Sequence, residues 1–361
     1  MIVLNTTLYY FFFIIFIFSS IGYGILFQKQ FLKIDLISEN IFKYFFLGLI
    51  ILFPLSFLNY FVSSYIRHIN IFFLLIGILF FIYSKKINTN KVFLVVLIFF
   101  SGVLISKTHE DFSVYHFQHI KEISDQFIKF GLSNLDERYI YSSNFSYLQS
   151  MTNVPFFNLK LVNIPTFAMF FSLLGYLAIE IIDKKSVKKF ICYFFLTFLI
   201  IKYKRFSEFG YDYPGQFLLL FLFIEYIYEK KNNLFKNISF FLLFLISLLI
   251  KLTNIYFLPF LIYYIFYKKI DFKKIITNKV LILFSVLIFT TFSLNSFMKT
   301  GCLNYLIKSS CFSNEKSGWA INHKQINDVK KLTKNWARGF YHQKGDKINE
   351  IDYNKELNWF P

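Results

Sequence analysis

Apolar runs recur along this chain, most of them close to the length of a membrane crossing, and no soluble fold has room for so many. A spanning helix needs about 20 predominantly apolar residues. Such runs fall at 8–27, 41–62, 69–84, 92–106, 163–182, 188–203, 214–229, 236–251, 254–267 and 278–298. The stretch 236–267 reads as two tight helices or one broken pair. Strands of a membrane barrel would alternate polar and apolar residues, and these runs do not. Helices also satisfy backbone amides and carbonyls that find no water in lipid. The expected fold is therefore all-α: a polytopic membrane bundle of about ten spanning helices, with an exported amphipathic-helix segment and a small exported C-terminal tail. Composition agrees, because 56% of residues are apolar and Phe alone occurs 54 times. No Lys or Arg precedes Lys29 and no small-residue cleavage site is evident, so 8–27 reads as a retained helix and not a removed signal.

The net charge of +18 would suit nucleic acid, but its placement argues for a membrane. Lys29, Lys33 and Lys43 share one connection, and Lys85, Lys86 and Lys91 the next but one. The pattern continues through Lys184 to Lys189, Lys230 to Lys236, and Lys268 to Lys279. Alternate connections carry few basic residues. Lysine resists translocation, so the lysine-rich side is expected to be cytoplasmic, against anionic lipid, with no nucleic-acid partner. That parity divides the chain into N-terminal spanning helices (1–106), an exported segment with surface helices (107–162), further spanning helices (163–298) and an exported C-terminal region (299–361). The chain then resides in the inner (plasma) membrane with its functional loops on the non-cytoplasmic side.

The exported segment opens on Thr108-His109-Glu110-Asp111. Carboxylates at the lip of a bundle serve as general base or hold a divalent cation against phosphate. Thr108-x-x-Asp111 also fits a capping box, in which both side chains satisfy free amides. Residues 111–130 read as one amphipathic helix. Val114, Phe117, Ile120, Ile123, Phe127 and Phe130 form its apolar stripe, while His119, Lys121, Glu122, Asp125, Gln126 and Lys129 face away. Gly131 ends it. A second short helix carries Phe145, Leu148 and Met151 after Ser143, giving a platform of two surface helices. His109, His116 and His119 lie close together, but the pattern is not HExxH and no Cys accompanies it, so no metal site is assigned.

The other connections on that side are short. Lys204-Arg205-Phe206-Ser207-Glu208 and Asp212 precede Pro214, which suits a first helical turn. The two cations can grip a lipid-linked phosphate, or the loop neutralises itself. Lys251 follows an apolar run, where it snorkels or meets a ligand. Cys302 and Cys311 both fall in the exported tail, where an oxidising compartment permits a disulfide. Cys192 reads as a small apolar filler inside a helix. The tail ends on Trp359-Phe360-Pro361 without a closing element, so a truncated chain or a further missing helix is expected.

The run Glu110-Asp111, Tyr115-His116, Gly131-Leu132, Asn134-Leu135, Arg138 and Ser142-Ser143-Asn144-Phe145 resembles the exported segment of a group of uncharacterised bacterial multi-pass proteins. These in turn resemble the GT-C class of membrane glycosyltransferases. The likeness also touches Gly210, Asp212, Pro214 and Gly301 to Trp319. It implies a catalytic carboxylate at Asp111 or Glu110. It implies a sugar donor on polyprenyl phosphate, reached from the lipid side, with Lys204, Arg205 and Lys251 for its phosphate. His116, Asn134, Arg138, Glu208 and Asp212 are the further residues expected to bind substrate. In typical members the acidic loop follows the first spanning helix, whereas about four helices precede it here.

The leading expectation is a glycosyltransferase acting on a cell-envelope glycan or lipid, its partners being the lipid-linked donor and membrane lipid, with a divalent cation as the one cofactor considered. A transporter or flippase of lipid-linked glycans is the second. Transporters commonly place charge mid-membrane and carry internal repeats, and neither feature is evident in the sequence. A non-catalytic envelope assembly protein is the third.

Overall fold

The computed structural model describes residues 2–34, 40–61, 66–84, 93, 96–97, 112–125, 128–141, 143–155, 157, 161–183, 187–203, 212–227, 233–305, 307–312 and 318–337. Among them the named elements are all helices, and Cys302 and Cys311 form an isolated bridge. The helices are α1 (Ile2–Leu26), α2 (Phe42–Asn59), α3 (Ile66–Tyr83), α4 (Phe117–Asp125), α5 (Phe145–Ser150), α6 (Ile164–Asp183) and α7 (Val187–Ile201). They continue as α8 (Asp212–Ile227), α9 (Leu234–Ile250), α10 (Leu258–Tyr267), α11 (Phe272–Ile276), α12 (Lys279–Thr300) and α13 (His323–Ala337).

Among the described residues, four helical stretches are long and apolar enough to cross a membrane: Thr6–Phe31, Phe42–Asn59, Ile164–Ile182 and Lys279–Thr300. The chain is thus an all-helical membrane protein. The expected spans at 69–84, 236–251 and 254–267 correspond to shorter apolar helices. Those at 188–203 and 214–229 correspond to α7 and α8, of 15 and 16 residues. The span at 92–106 lies almost wholly outside the described residues. The stretch 236–267 resolves as a pair: α9 ends, Lys251 is extended, and a 3-10 turn at Leu252–Phe257 leads into α10.

The chain forms two compact units. One comprises Met1–Ile128 and Ser142–Phe292, the other Lys129–Tyr141 and Ser293–Pro361.

In the larger unit, α1 packs most extensively on α2 and α3. Lipid tails are as apolar as Leu, so close packing and not water exclusion must hold helices together. Glycine supplies the approach. A Cβ on Gly22 of α1 would collide with the carbonyl of Gly77 on α3, and one on Gly48 of α2 with that of Ser20 on α1. Aromatic rings fill the remaining space, as where Phe46 of α2 stacks on Phe221 of α8 at 4.2 Å. Outward-facing rings stay bare: Phe190 and Phe194 on α7 expose 76% and 64% of their surface. Contiguous apolar exposure of that size marks a surface solvated by lipid.

In the smaller unit, the amide of Gly131 donates to the carbonyl of Met298 at 2.7 Å. Gly131 has φ +73°, a left-handed conformation that costs glycine nothing. Cys302 and Cys311 form a disulfide. The indole of Trp319 packs between Phe130 and Phe297, at 5.1 and 5.3 Å. A reciprocal cap opens α13: the Asn322 amide donates to Gln325 Oε1 at 2.9 Å, and the Gln325 amide to Asn322 Oδ1 at 2.8 Å.

Candidate functional site

The expected second surface helix is not on a surface. Every residue from Ser143 to Val154 is buried, including Ser143, Asn144, Ser146, Gln149, Ser150, Thr152 and Asn153. The sequence Ser-Asn-Phe-Ser-Tyr-Leu-Gln-Ser-Met-Thr-Asn-Val has apolar residues spaced for one face only. Its polar face was therefore expected to meet water. Instead the segment is ringed by helices. Phe145 meets Phe53 of α2 at 6.2 Å, and Tyr147 meets Phe57 and Tyr60 at 5.0 and 5.4 Å. The Asn144 amide donates to the carbonyl of Leu249 in α9 at 3.1 Å.

Part of this polar load is satisfied locally. Ser143 Oγ accepts from the Phe145 amide at 3.0 Å, and Thr152 donates to the carbonyls of Gln149 and Leu161 at 2.7 and 2.9 Å. Asn70 of α3 donates to the carbonyls of Ser150 and Asn153 at 3.1 and 2.8 Å and accepts from Asn59 of α2. Yet Ser146 Oγ, Gln149 Nε2 and Asn153 Oδ1 are buried with no hydrogen-bond partner among the described residues. A buried polar atom left without one costs about 1–3 kcal/mol. Several in one segment of an apolar bundle make it a candidate site, where water or a ligand would supply the partners.

The helix expected at 111–130 covers this segment in shortened form. A π turn at Phe112–His116 leads into α4, which packs on α5. Its buried face is His116, His119, Ile120, Ile123 and Ser124. His119, expected on the outer polar face, is 1% exposed, whereas Val114 of the expected apolar stripe is largely exposed. The π turn explains the difference, because an extra residue per turn rotates everything downstream. Asn153 Nδ2 reaches the carbonyl of Ser124 at 3.5 Å, joining the two segments.

The other expected site residues are distributed as follows. Glu110, Asp111, Lys204, Arg205 and Glu208 lie outside the described residues. Asp212 begins α8. Lys251 is half-buried and extended after α9, its amide donating to the Ser247 carbonyl at 3.0 Å. Asn134 and Arg138 belong to the smaller unit. There Asn134 Nδ2 donates to the Trp319 carbonyl at 2.7 Å, and Arg138 grips Asp136 through Nε and Nη2 at 3.1 and 2.9 Å. Both have structural partners. Among the described residues no group of three His, Cys, Asp or Glu side chains could hold a metal ion.

A second polar cluster in the larger unit has no counterpart in the expectations. Glu225 of α8 takes Lys43 of α2 at 2.6 Å and Lys188 of α7 at 3.1 Å, and Lys188 reaches Glu180 of α6 at 2.8 Å. Tyr176 donates to Glu225 Oε2 at 2.7 Å, and Asn40 Nδ2 to Glu180 Oε1 at 3.0 Å. Glu180 and Glu225 are 2% and 9% exposed. Two cations against two anions leave the cluster neutral, the arrangement that makes buried charge tolerable. Lys43 and Lys188 lie in the first turns of α2 and α7, and Glu180 and Glu225 in the last turns of α6 and α8. That shared placement was the available signal.

A family model described as a domain of unknown function, DUF8201, matches residues 5–361. The chain belongs to the DUF8201 family. No curated protein and no solved structure matches it. The match covers nearly the whole chain, so both polar clusters fall within the family's domain.

Proposed function

We propose that this DUF8201 protein is an integral-membrane glycosyltransferase that moves a sugar from a polyprenyl-phosphate donor to a cell-envelope glycan or lipid. The observation that carries the reading is the buried polar run Ser143–Val154, with Ser146, Gln149 and Asn153 presenting polar atoms that no group among the described residues satisfies. A bundle that keeps a hydrophilic interior suits a substrate that is lipid at one end and sugar at the other. The resemblance to GT-C enzymes supports the same chemistry. So does the acidic pair Glu110-Asp111, which immediately precedes the buried Phe112.

In this reading about ten helices span the plasma membrane. The lysine-rich ends face the cytoplasm, and residues 107–162 and the tail lie outside it. Asp111 takes the proton from the acceptor hydroxyl, whose oxygen attacks the anomeric carbon. The bond to the donor phosphate breaks, and Lys204, Arg205 and Lys251 stabilise the departing phosphate. Purified protein should release polyprenyl phosphate from polyprenyl-phosphate sugars in the presence of acceptor, and Asp111→Asn should stop release while leaving the protein inserted. Full activity in that variant would remove Asp111 from the mechanism.

The buried cluster of Lys43, Glu180, Lys188 and Glu225 favours a second reading, translocation of lipid-linked glycans, because charge inside a membrane protein commonly marks a transport path. Movement of labelled lipid-linked glycan across liposomes without bond cleavage would select it.

A further inference from the structure

A groove at the lysine-rich end of the larger unit has no part in either reading. Its volume is 410 Å³, and Lys33, Lys274 and Lys279 line it together with Phe31, Phe235 and Val280. Among the described residues none that lines it is acidic. Its walls are held by aromatic contacts, with Phe31 on Phe284 of α12 at 5.0 Å and Phe27 on Phe284 at 5.2 Å. The start of α12 is fixed by Asn278, whose Oδ1 accepts from the amides of Val280 and Leu281 at 3.0 and 3.3 Å.

Among the described residues, the one ion pair these three cations make is exposed. Lys274 has an exposed partner in Asp271 at 3.5 Å, a pair of the kind that contributes little. Lys33 and Lys279 make no ion pair among the described residues. Lys33 also occupies a left-handed turn, φ +53°, where glycine would be unstrained.

Below the groove, α12 presents an apolar ridge. Ile282, Leu283, Val286 and Phe289 are exposed, Phe289 to 69%, on a helix long enough to span the bilayer. Cations at a helix end above a bare apolar ridge match one class of molecule, with phosphate at its head and hydrocarbon below.

We infer that the groove binds the headgroup of an anionic phospholipid whose acyl chains lie along the ridge of α12. The site is independent of the glycosyl-transfer reading. The test is native mass spectrometry of the purified full chain titrated with phosphatidylglycerol, phosphatidylcholine or soluble glycerol phosphate. The chain should bind one phosphatidylglycerol more tightly than phosphatidylcholine. Lys33→Gln with Lys279→Gln should weaken that binding by about 30-fold, the loss expected for two lysine–headgroup contacts. Lys189→Gln, an exposed lysine on α7 that does not line the groove, should leave it unchanged. Phe289→Ser should weaken phosphatidylglycerol binding several-fold. Equal affinity for phosphatidylcholine, no loss in the double variant, or the same loss in Lys189→Gln would overturn the site. Glycerol phosphate binding as tightly as the lipid would overturn the role of the ridge.

Discussion

Replacing Glu225 by Leu tests whether the buried ion cluster holds the bundle. Glu225 accepts from three donors, Lys43 at 2.6 Å, Lys188 at 3.1 Å and Tyr176 at 2.7 Å. In Glu225→Leu, Lys188 keeps Glu180 at 2.8 Å, but Lys43 and Tyr176 lose the Glu225 oxygens to which they donate. Removing one partner of a buried pair costs about 3–5 kcal/mol. Lys43 is partly exposed, so its ammonium can reach toward the interface. The expected loss is therefore at the lower end, about 3 kcal/mol. Pairing the change with Lys43→Met removes both members of the pair and should restore most of that loss, since apolar replacement of a whole buried pair is often neutral. The assay is denaturant-induced unfolding in detergent, run as a double-mutant cycle. If Glu225→Leu costs less than about 1 kcal/mol, or if the two losses simply add, the cluster is not a coupled buried network and the reasoning fails.

Three further outcomes follow from the packing. Gly22→Val should separate α1 from α3, because the new side chain meets the Gly77 backbone; size-exclusion profiles should show loss of folded monomer, while Gly318→Ala, with open space at its Cβ but φ +64°, should cost only about 1 kcal/mol. Cys302→Ser with Cys311→Ser should destabilise the smaller unit by about 2–3 kcal/mol, read as faster proteolysis of the tail. Burial pushes the hydroxyls of Tyr141 and Tyr305 above the usual tyrosine value of 10, the Thr333 hydrogen bond partly offsetting this at Tyr141. Both are neutral when protonated and titrate later folded than unfolded. Their contribution is therefore complete below pH 10 and falls away as pH rises beyond it, so fluorescence-monitored stability of the smaller unit should drop there and drop less in Tyr141→Phe.

The helical class and the positions of α1, α2, α6 and α12 were legible because long apolar runs admit one solution in lipid. The disulfide was legible as an option, since Cys302 and Cys311 share one polar tail. What composition could not convey was tertiary burial of polar side chains. Ser143 to Val154 looks like a surface helix, because alternating polar residues normally mean water. Only the surrounding α2, α3, α4 and α9 show that it is enclosed. The rotation of His119 into the interior depends on a π turn that no local residue type announces. The pairing of Lys43, Glu180, Lys188 and Glu225 needed four helices brought side by side. Asn134 and Arg138 were expected to bind substrate; that their side chains meet Trp319 and Asp136 within the smaller unit needed the fold to show.

The measurement closest to the central claim is sidedness, since a cleft built from the exported segment requires one face for it and the other for the lysines. Cys192 is buried and Cys302 is bonded to Cys311, so single cysteines introduced at exposed Gln118 of α4 and Lys189 of α7 can be read cleanly. A membrane-impermeant maleimide applied to intact cells should label Gln118→Cys and spare Lys189→Cys until the cells are opened. Labelling of both from the same side would contradict the account.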